Sequence, residues 1–182
     1  MDLLLDVDVV LDICATRERW FAAYVRAVVR CMVSGGKVWL YTGSVQTYEY
    51  SLRRMVKDGA LSQGRDLSNA ACAELARRTL REFSEDKDWL AALAGEGDVF
   101  AAPDCEDEQL LRALDRFEPG SIMLLTRDSQ LLQSRSDKAV SPEQFCSMPL
   151  TAKKIDFIDL KSQQDLIRPG VETGLHRALR HG

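Results

Sequence analysis

The sequence has little histidine, no paired cysteines and no long apolar run. Its two histidines, His176 and His181, both stand near the C-terminus. The cysteines are odd in number, widely spaced and never arranged as C-x-x-C, which indicates neither a zinc site nor a disulfide framework. We therefore expect buried, reduced thiols at Cys14, Cys31, Cys72, Cys105 and Cys146.

Targeting signals are also missing. No apolar stretch reaches the ~20 residues that a bilayer span needs, so no membrane association is predicted. The opening residues 1–6 (MDLLLD) lack the basic start and the apolar stretch of a signal peptide. We therefore expect a cytoplasmic protein.

The charge balance gives a further exclusion. The net charge of −4 argues against a protein that binds nucleic acid tightly over its whole surface. It does not exclude an enzyme that meets phosphates through a few arginines and a metal ion.

Short apolar segments alternate with helical patterns. Continuous apolar runs predict strands at 3–7, 37–41, 98–101, 121–125 and 139–140. Helices are predicted at 17–34, 44–57, from residue 66 or 68 to 83, at 89–93 and 106–117, and from Pro142 onward. Strands separated by helices require crossover connections, which predicts an α/β fold with a parallel sheet.

Helix 17–34 has an apolar stripe for which we expect burial, formed by Phe21, Val25, Val28, Val29 and Met32. Apolar surfaces on the helical stretches 22–32 and 67–83 are consistent with a homodimer interface. Core packing explains them equally well, so both interpretations stay open.

Acidic side chains follow three of the predicted strands. Asp6 and Asp8 end the first, Asp104, Glu106 and Asp107 follow the strand at 98–101, and Asp128 follows the strand at 121–125. The carboxyl ends of parallel strands meet at one edge of a sheet, so these acids are expected to gather there.

Clustered carboxylates need a counter-charge, because like charges raise one another's pKa. A hard cation with oxygen ligands, Mg²⁺ or Mn²⁺, supplies it. Such a site supports metal-assisted hydrolysis of a phosphodiester.

Most of these acids also have an ordinary structural explanation. Asp104 or Glu106 can favour a helix N-terminus, and Asp128 can cap the turn before Leu131. Asp12 fits a surface or capping position better than a ligand position. Asp6 differs, because a carboxylate on an otherwise apolar strand needs a partner. Both interpretations of the cluster therefore stay open.

Four segments resemble those of PIN domains, the fold of many toxin-type ribonucleases and related nucleases. They are residues 4–12 (LLDVDVVLD), 105–111 (CEDEQLL), 124–128 (LLTRD) and 140–145 (VSPEQF). Their order fits the family, and together they span most of residues 1–148. The resemblance implies a three-layer α/β/α domain with a central parallel sheet.

The resemblance also implies an active site. Asp6, Asp107 and Asp128 would be the catalytic residues, holding Mg²⁺ or Mn²⁺ for endonucleolytic cleavage of RNA. Asp8 and Glu106 would be neighbouring or alternative metal ligands.

One acid of the family pattern is not clearly present. Many PIN domains carry a further Glu on the helix after the second strand, where this chain has Thr47 or a neighbour. Glu49 lies two residues on, about 200° around a helix, and is expected to be exposed. Arg127 is expected either to position a phosphate or to be solvated. Two hypotheses follow, a metal-dependent ribonuclease and a catalytically inactive PIN-like module.

The composition changes after Leu150, which predicts a PIN-like domain at 1–150 followed by a linker and a segment of different origin at 151–182. Residues 157–163 (FIDLKSQ) and 180–182 (RHG) resemble the beginning of the DegT/DnrJ/EryC1 sugar aminotransferases. This resemblance implies a truncated aminotransferase-like segment containing a helix.

Under the second hypothesis, the inactive module forms the N-terminal part of an aminotransferase fusion in nucleotide-sugar or polysaccharide biosynthesis. A downstream aminotransferase domain is then the expected partner. Pyridoxal phosphate (PLP) is expected only if such a full-length domain follows. Residues 1–182 alone cannot perform transaminase chemistry, because the cofactor-binding lysine of that family has no counterpart in them.

Overall fold

A five-stranded sheet forms the centre of the computed structural model, which describes residues 1–61, 66–92 and 105–149. All neighbouring strands are parallel, in the order β3-β2-β1-β4-β5. This arrangement confirms the predicted α/β class and the parallel sheet. The strands are β1 (Asp2–Leu5), β2 (Val38–Tyr41), β3 (Asp88–Leu90), β4 (Ile122–Leu125) and β5 (Ala139–Val140).

Seven helices are described around this sheet. A short 3-10 turn, Thr42–Ser44, joins β2 to the third of them. Helix starts follow local chemistry, since Ser68 caps α4 and Ser141 begins α7 with a capping box followed by Pro142. The helices are α1 (Val7–Cys14), α2 (Glu18–Val33), α3 (Val45–Lys57), α4 (Asn69–Ser84), α5 (Cys105–Leu114), α6 (Ser129–Ser134) and α7 (Pro142–Ser147).

Helices cover both faces of the sheet. Leu3 and Leu5 of β1 pack into an apolar cluster with residues of α1, α2, α3, α4 and α7. Leu4, between them, packs into a second cluster with residues of α5 and α6. Because β1 is central and buried on both faces, its apolar residues are continuous rather than alternating.

The start of the chain differs from the prediction. β1 ends at Leu5, and Val7 already begins α1, a helix that the apolar pattern did not reveal. Asp6 ends the strand because its side chain caps α1 by accepting from the Val7 amide. Asp8 therefore lies in the first turn of α1 and not at the end of a strand.

The predicted helix at 89–93 is wrong over residues 89 and 90. Asp88–Leu90 is the edge strand β3, and Trp39 of β2 pairs with Asp88. Pairing along an existing strand decided the conformation of this short stretch, for which local periodicity is ambiguous. The predicted strand at 98–101 and Asp104 lie outside the described residues.

The buried face of α2 also differs from the prediction. The burial predicted for Val28 is confirmed, and Tyr24, Ala27 and Cys31 are buried with it, whereas Val29 is half-exposed at 50% and Met32 is exposed at 39%. Both stripes have helical spacing, so periodicity alone could not choose between them. Packing against α1 and α7 selected the stripe with smaller side chains and Tyr24.

Four cysteines of the described ranges are free thiols. The expected burial is confirmed for Cys31 and Cys72, whereas Cys14 and Cys146 are partly exposed. Burial raises the pKa of Cys14 to about 12 and that of Cys31 to about 11, which keeps both thiols protonated at neutral pH.

The described residues fall within one compact unit, Met1–Leu150. The predicted aminotransferase-like segment at 151–182 lies outside them. None of the helices in the described ranges combines the length and apolarity that a bilayer span requires.

Candidate functional site

The strand order reverses between the neighbouring strands β1 and β4. From central β1 the chain builds β2 and β3 on one side and then β4 and β5 on the other. Ligands of open parallel sheets bind where the order reverses in this way. Asp6 directly follows β1, and Thr126 directly follows β4, so both lie at this position.

Asp6 is held by partners from both strand ends. Its Oδ1 accepts from the Val7 amide at 2.6 Å, and its Oδ2 accepts from the Thr126 hydroxyl at 2.5 Å. The Asp6 amide donates to the Leu125 carbonyl of β4 at 3.2 Å. Asp6 is only 8% exposed and Thr126 is fully buried. The carboxylate is therefore fixed in position at the carboxyl ends of β1 and β4.

Burial is the main reason that the pKa of Asp6 rises to about 6. The hydrogen bond from Thr126 lowers this pKa, and the negative charges of Asp107 and Asp8 raise it further. The fold thus brings these two predicted site residues within electrostatic reach of Asp6. Asp107 reaches it from the first turn of α5, and Asp8 from the first turn of α1.

Glu106 neighbours Asp107 in the first turn of α5. Its Oε1 atom is buried and has no hydrogen-bond partner among the described residues. Acidic side chains favour a helix N-terminus, so the structural explanation also applies to this pair. A favourable place at the helix N-terminus does not account for the buried Oε1 atom of Glu106, because buried polar atoms normally have a hydrogen-bond partner.

Asp128 is the N-cap of α6. Its Oδ1 accepts from the amides of Gln130 and Leu131, at 2.7 and 2.8 Å. The Asp128 amide donates to Thr126 Oγ1 at 3.0 Å, so the Thr126 hydroxyl connects Asp128 to Asp6. The predicted capping role of Asp128 is confirmed, and its role as a metal ligand stays a prediction.

Within the described ranges, no three His, Cys, Asp or Glu side chains lie close enough together to hold one ion. The site is therefore not a closed coordination sphere. Mg²⁺ does not require one, since it keeps several waters and is commonly bound through one or two carboxylates. The all-oxygen donor set around Asp6 fits such a hard cation.

The helix after β2 presents hydroxyls, not a carboxylate, towards this site. Ser44 and Tyr48 are fully buried, whereas Glu49 is exposed as predicted. Sequence reasoning missed Ser44 and Tyr48, although their spacing of four residues places them on one helix face. It also missed Thr126, whose hydroxyl follows a strand that is otherwise entirely apolar.

Of the two roles predicted for Arg127, that of a solvated arginine is wrong. Its side chain is 23% exposed and pairs with Glu143 at 2.6 Å. Its guanidinium carbon lies 3.8 Å from the centre of the Trp20 ring. These contacts connect the end of β4 to α2 and α7, and the role in phosphate binding stays a prediction.

The predicted surface position of Asp12 is wrong. Asp12 is only 4% exposed and pairs with Arg17 at 2.8 Å. Burial raises the pKa of Asp12, and the Arg17 guanidinium opposes this effect. The ion pair closes the turn between α1 and α2. Asp12 is thus a buried structural residue and not a surface one.

Replacing Thr126 with valine tests the support of Asp6. The change keeps the shape of the side chain but leaves Asp6 Oδ2 without its donor, so we expect the free energy of unfolding to fall by about 1–3 kcal/mol. Urea unfolding at pH 7 measures the loss. The control is Thr79→Val, because the Thr79 hydroxyl donates to Leu75 O within its own helix. Equal losses in the two variants would contradict the special role of Thr126.

The site therefore consists of Asp6, its donor Thr126, nearby carboxylates of α1 and α5, and two buried hydroxyls at the start of α3. Comparisons with protein-family models, curated proteins and solved structures found no match to this chain.

Proposed function

We propose that residues 1–148 form a PIN-like domain that binds Mg²⁺ or Mn²⁺ at its acidic edge and hydrolyses phosphodiester bonds of RNA. One observation supports this proposal most strongly. A buried carboxylate, Asp6, stands at the point where the strand order reverses; burial is the main reason that its pKa rises to about 6, and the charges of Asp107 and Asp8 add to the rise. A neighbouring cationic side chain would lower the pKa of Asp6, but the charged groups named above as acting on it are carboxylates. The arrangement therefore favours a cationic ligand.

The residues have distinct roles in this proposal. Asp6 is the principal ligand, oriented by the Val7 amide and the Thr126 hydroxyl. Asp107 and Asp8 add negative charge that attracts the cation, and Glu106 presents a buried oxygen. A bound cation would neutralise charge that develops on the phosphate and would lower the pKa of its water.

An inactive PIN-like module is the second candidate. It is favoured by the side chains that α3 presents, Ser44 and Tyr48, neither of which is acidic. The Asp128 carboxylate is also engaged in capping α6. In this proposal the acidic edge has no hydrolytic activity, and the module accompanies a downstream aminotransferase domain.

Calorimetric titration of the full chain with Mn²⁺ at pH 7.5 separates the two candidates. We expect saturable binding by the wild type and affinity at least about tenfold weaker in Asp6→Asn, because the principal charged ligand is lost. The control is Asp58→Asn, since Asp58 directly follows α3, its side chain is 68% exposed, and it pairs with Arg54 of α3 at 3.8 Å. No heat from the wild type, or the same affinity in all three proteins, would refute the nuclease proposal.

A further inference from the structure

Two arginines share one tryptophan in the first turn of α2. The guanidinium carbon of Arg19 lies 4.2 Å from the centre of the Trp20 ring, and that of Arg127 lies 3.8 Å from the same centre. The Arg127 guanidinium carbon also lies 5.2 Å from the centre of the Tyr24 ring. Both distances to Trp20 are in the range of a cation–π interaction, so this one ring holds two positive charges close together.

The backbone connects these arginines to the site around Asp6. Arg127 directly follows Thr126, whose hydroxyl donates to Asp6 at 2.5 Å. Neighbouring Cα atoms are about 3.8 Å apart, so the Arg127 backbone lies one residue from that hydrogen bond. Its side chain then reaches Trp20 in α2. The two guanidinium groups therefore lie next to the proposed cation site, on the side where α2 begins.

Protein carboxylates bind only one of the two guanidinium groups. Arg127 Nη2 donates to Glu143 at 2.6 Å, which links the end of β4 to α7. Arg19 is exposed and makes no ion pair with a carboxylate in the part of the chain that the structure describes. A structural link between α2, β4 and α7 thus accounts for Arg127, but it does not account for the position of Arg19.

The chemistry of such a pair suits a phosphate group. A guanidinium that stacks on an aromatic ring uses its face, and its N–H donors remain in the plane of the group. Those donors match phosphate oxygens with two parallel hydrogen bonds. An anion that contacts both guanidinium groups also offsets the repulsion between the two like charges. Phosphate contacts of this kind provide affinity for nucleic acid that does not depend on its sequence.

We propose that Arg19 and Arg127, held against Trp20, bind a backbone phosphate of the RNA strand at the carboxyl edge of the sheet. Trp20 is then a positioning residue that keeps both guanidinium groups on one ring. The inference rests on the proposed hydrolysis of RNA and adds how the strand is held beside Asp6. It is compatible with the net charge of −4, because the positive charge is local.

Arg19→Gln tests the phosphate site, because it removes one of the two charges from an exposed position. Fluorescence anisotropy of a labelled single-stranded RNA in EDTA measures binding without cleavage. We expect Kd to rise by about 5- to 10-fold, and the slope of log Kd against log salt concentration to fall by about 0.7, the value for one phosphate contact. The control is Arg26→Gln, at an exposed arginine about two turns further along α2, which should bind like the wild type.

Two further readouts separate substrate binding from a structural role. Under steady-state cleavage in Mn²⁺, Arg19→Gln should raise KM and leave kcat unchanged, because the phosphate contact is the same in the ground state and the transition state. Trp20→Leu should raise the Kd for RNA, whereas Trp20→Phe keeps an aromatic ring and should restore binding. A merely structural Trp20 would lower Tm in Trp20→Leu without changing Kd in the folded protein.

The outcomes separate this inference from the nuclease proposal. If Arg19→Gln binds RNA as tightly as the wild type, or if the wild type binds no RNA, the phosphate site is refuted. Cleavage by the wild type in Mn²⁺ would then still support the nuclease proposal. Conversely, Arg19-dependent RNA binding by a protein that neither binds Mn²⁺ nor cleaves RNA would refute hydrolysis and support the phosphate site.

Discussion

Asp6→Asn is expected to slow RNA cleavage by about a thousandfold while the domain stays folded. Asparagine still offers an acceptor to the Val7 amide and a polar group to Thr126, so the cap of α1 is kept. The substitution removes the buried charge of Asp6 at the point where the strand order reverses. Loss of a group that stabilises the transition state electrostatically costs about this factor. Single-turnover cleavage of a labelled single-stranded RNA in Mn²⁺ measures the rate.

The control for this experiment is again Asp58→Asn, which changes the same net charge at an exposed position. It should cleave like the wild type. A thermal melt of each variant shows that the domain is folded. Cleavage by Asp6→Asn at the wild-type rate would mean that Asp6 is not catalytic and that any activity comes from another site or another protein.

The second large effect concerns stability and pH. In the folded protein the pKa of Asp6 is about 6, above its ordinary value of 3.8. The folded state therefore binds the Asp6 proton more tightly than the unfolded chain does. The resulting stabilisation is fully present below about pH 4 and is lost as the pH rises through about 6. The difference corresponds to at most about 3 kcal/mol at neutral pH.

Urea unfolding at pH 4, 5, 6 and 7 in EDTA tests this expectation. The wild type should lose unfolding free energy relative to Asp6→Asn across this range, because asparagine does not titrate. Comparing the two proteins removes the contributions of groups that do not interact with Asp6, including that of Asp12. Parallel pH profiles would show that Asp6 titrates normally. Under the nuclease proposal, Mn²⁺ at pH 7 should restore stability to the wild type only.

Some elements could be predicted because their signals are local. The buried runs of β1 and β4 are continuous in apolar residues, which is typical of central parallel strands. Ser68 and Pro142 mark helix starts through bonds and torsions within one turn. The helix α1 was missed, because its residues continue the apolar pattern of β1 and its cap, Asp6, resembled a strand residue.

Other features depended on contacts that no local pattern contains. β3 became a strand because β2 offered it an edge, and α2 buried Tyr24 rather than Val29 because α1 and α7 pack on that side. Asp12 is buried because Arg17 pairs with it, although an acid in an amphipathic stretch usually indicates surface.

For the site, the sequence by itself determined that acids would stand at strand ends, because strand direction and helix capping are encoded within a few residues. Only the tertiary structure decided which acid is buried, which carboxylates act on it, and that hydroxyls of α3 face the same place. Apart from the effect of Asp8 on Asp6, these outcomes depend on residues far apart in the sequence, such as Thr126 donating to Asp6. The energetic cost of burying Asp6 is likewise a property of the assembled sheet and its helices, because desolvation arises only when distant segments exclude water together.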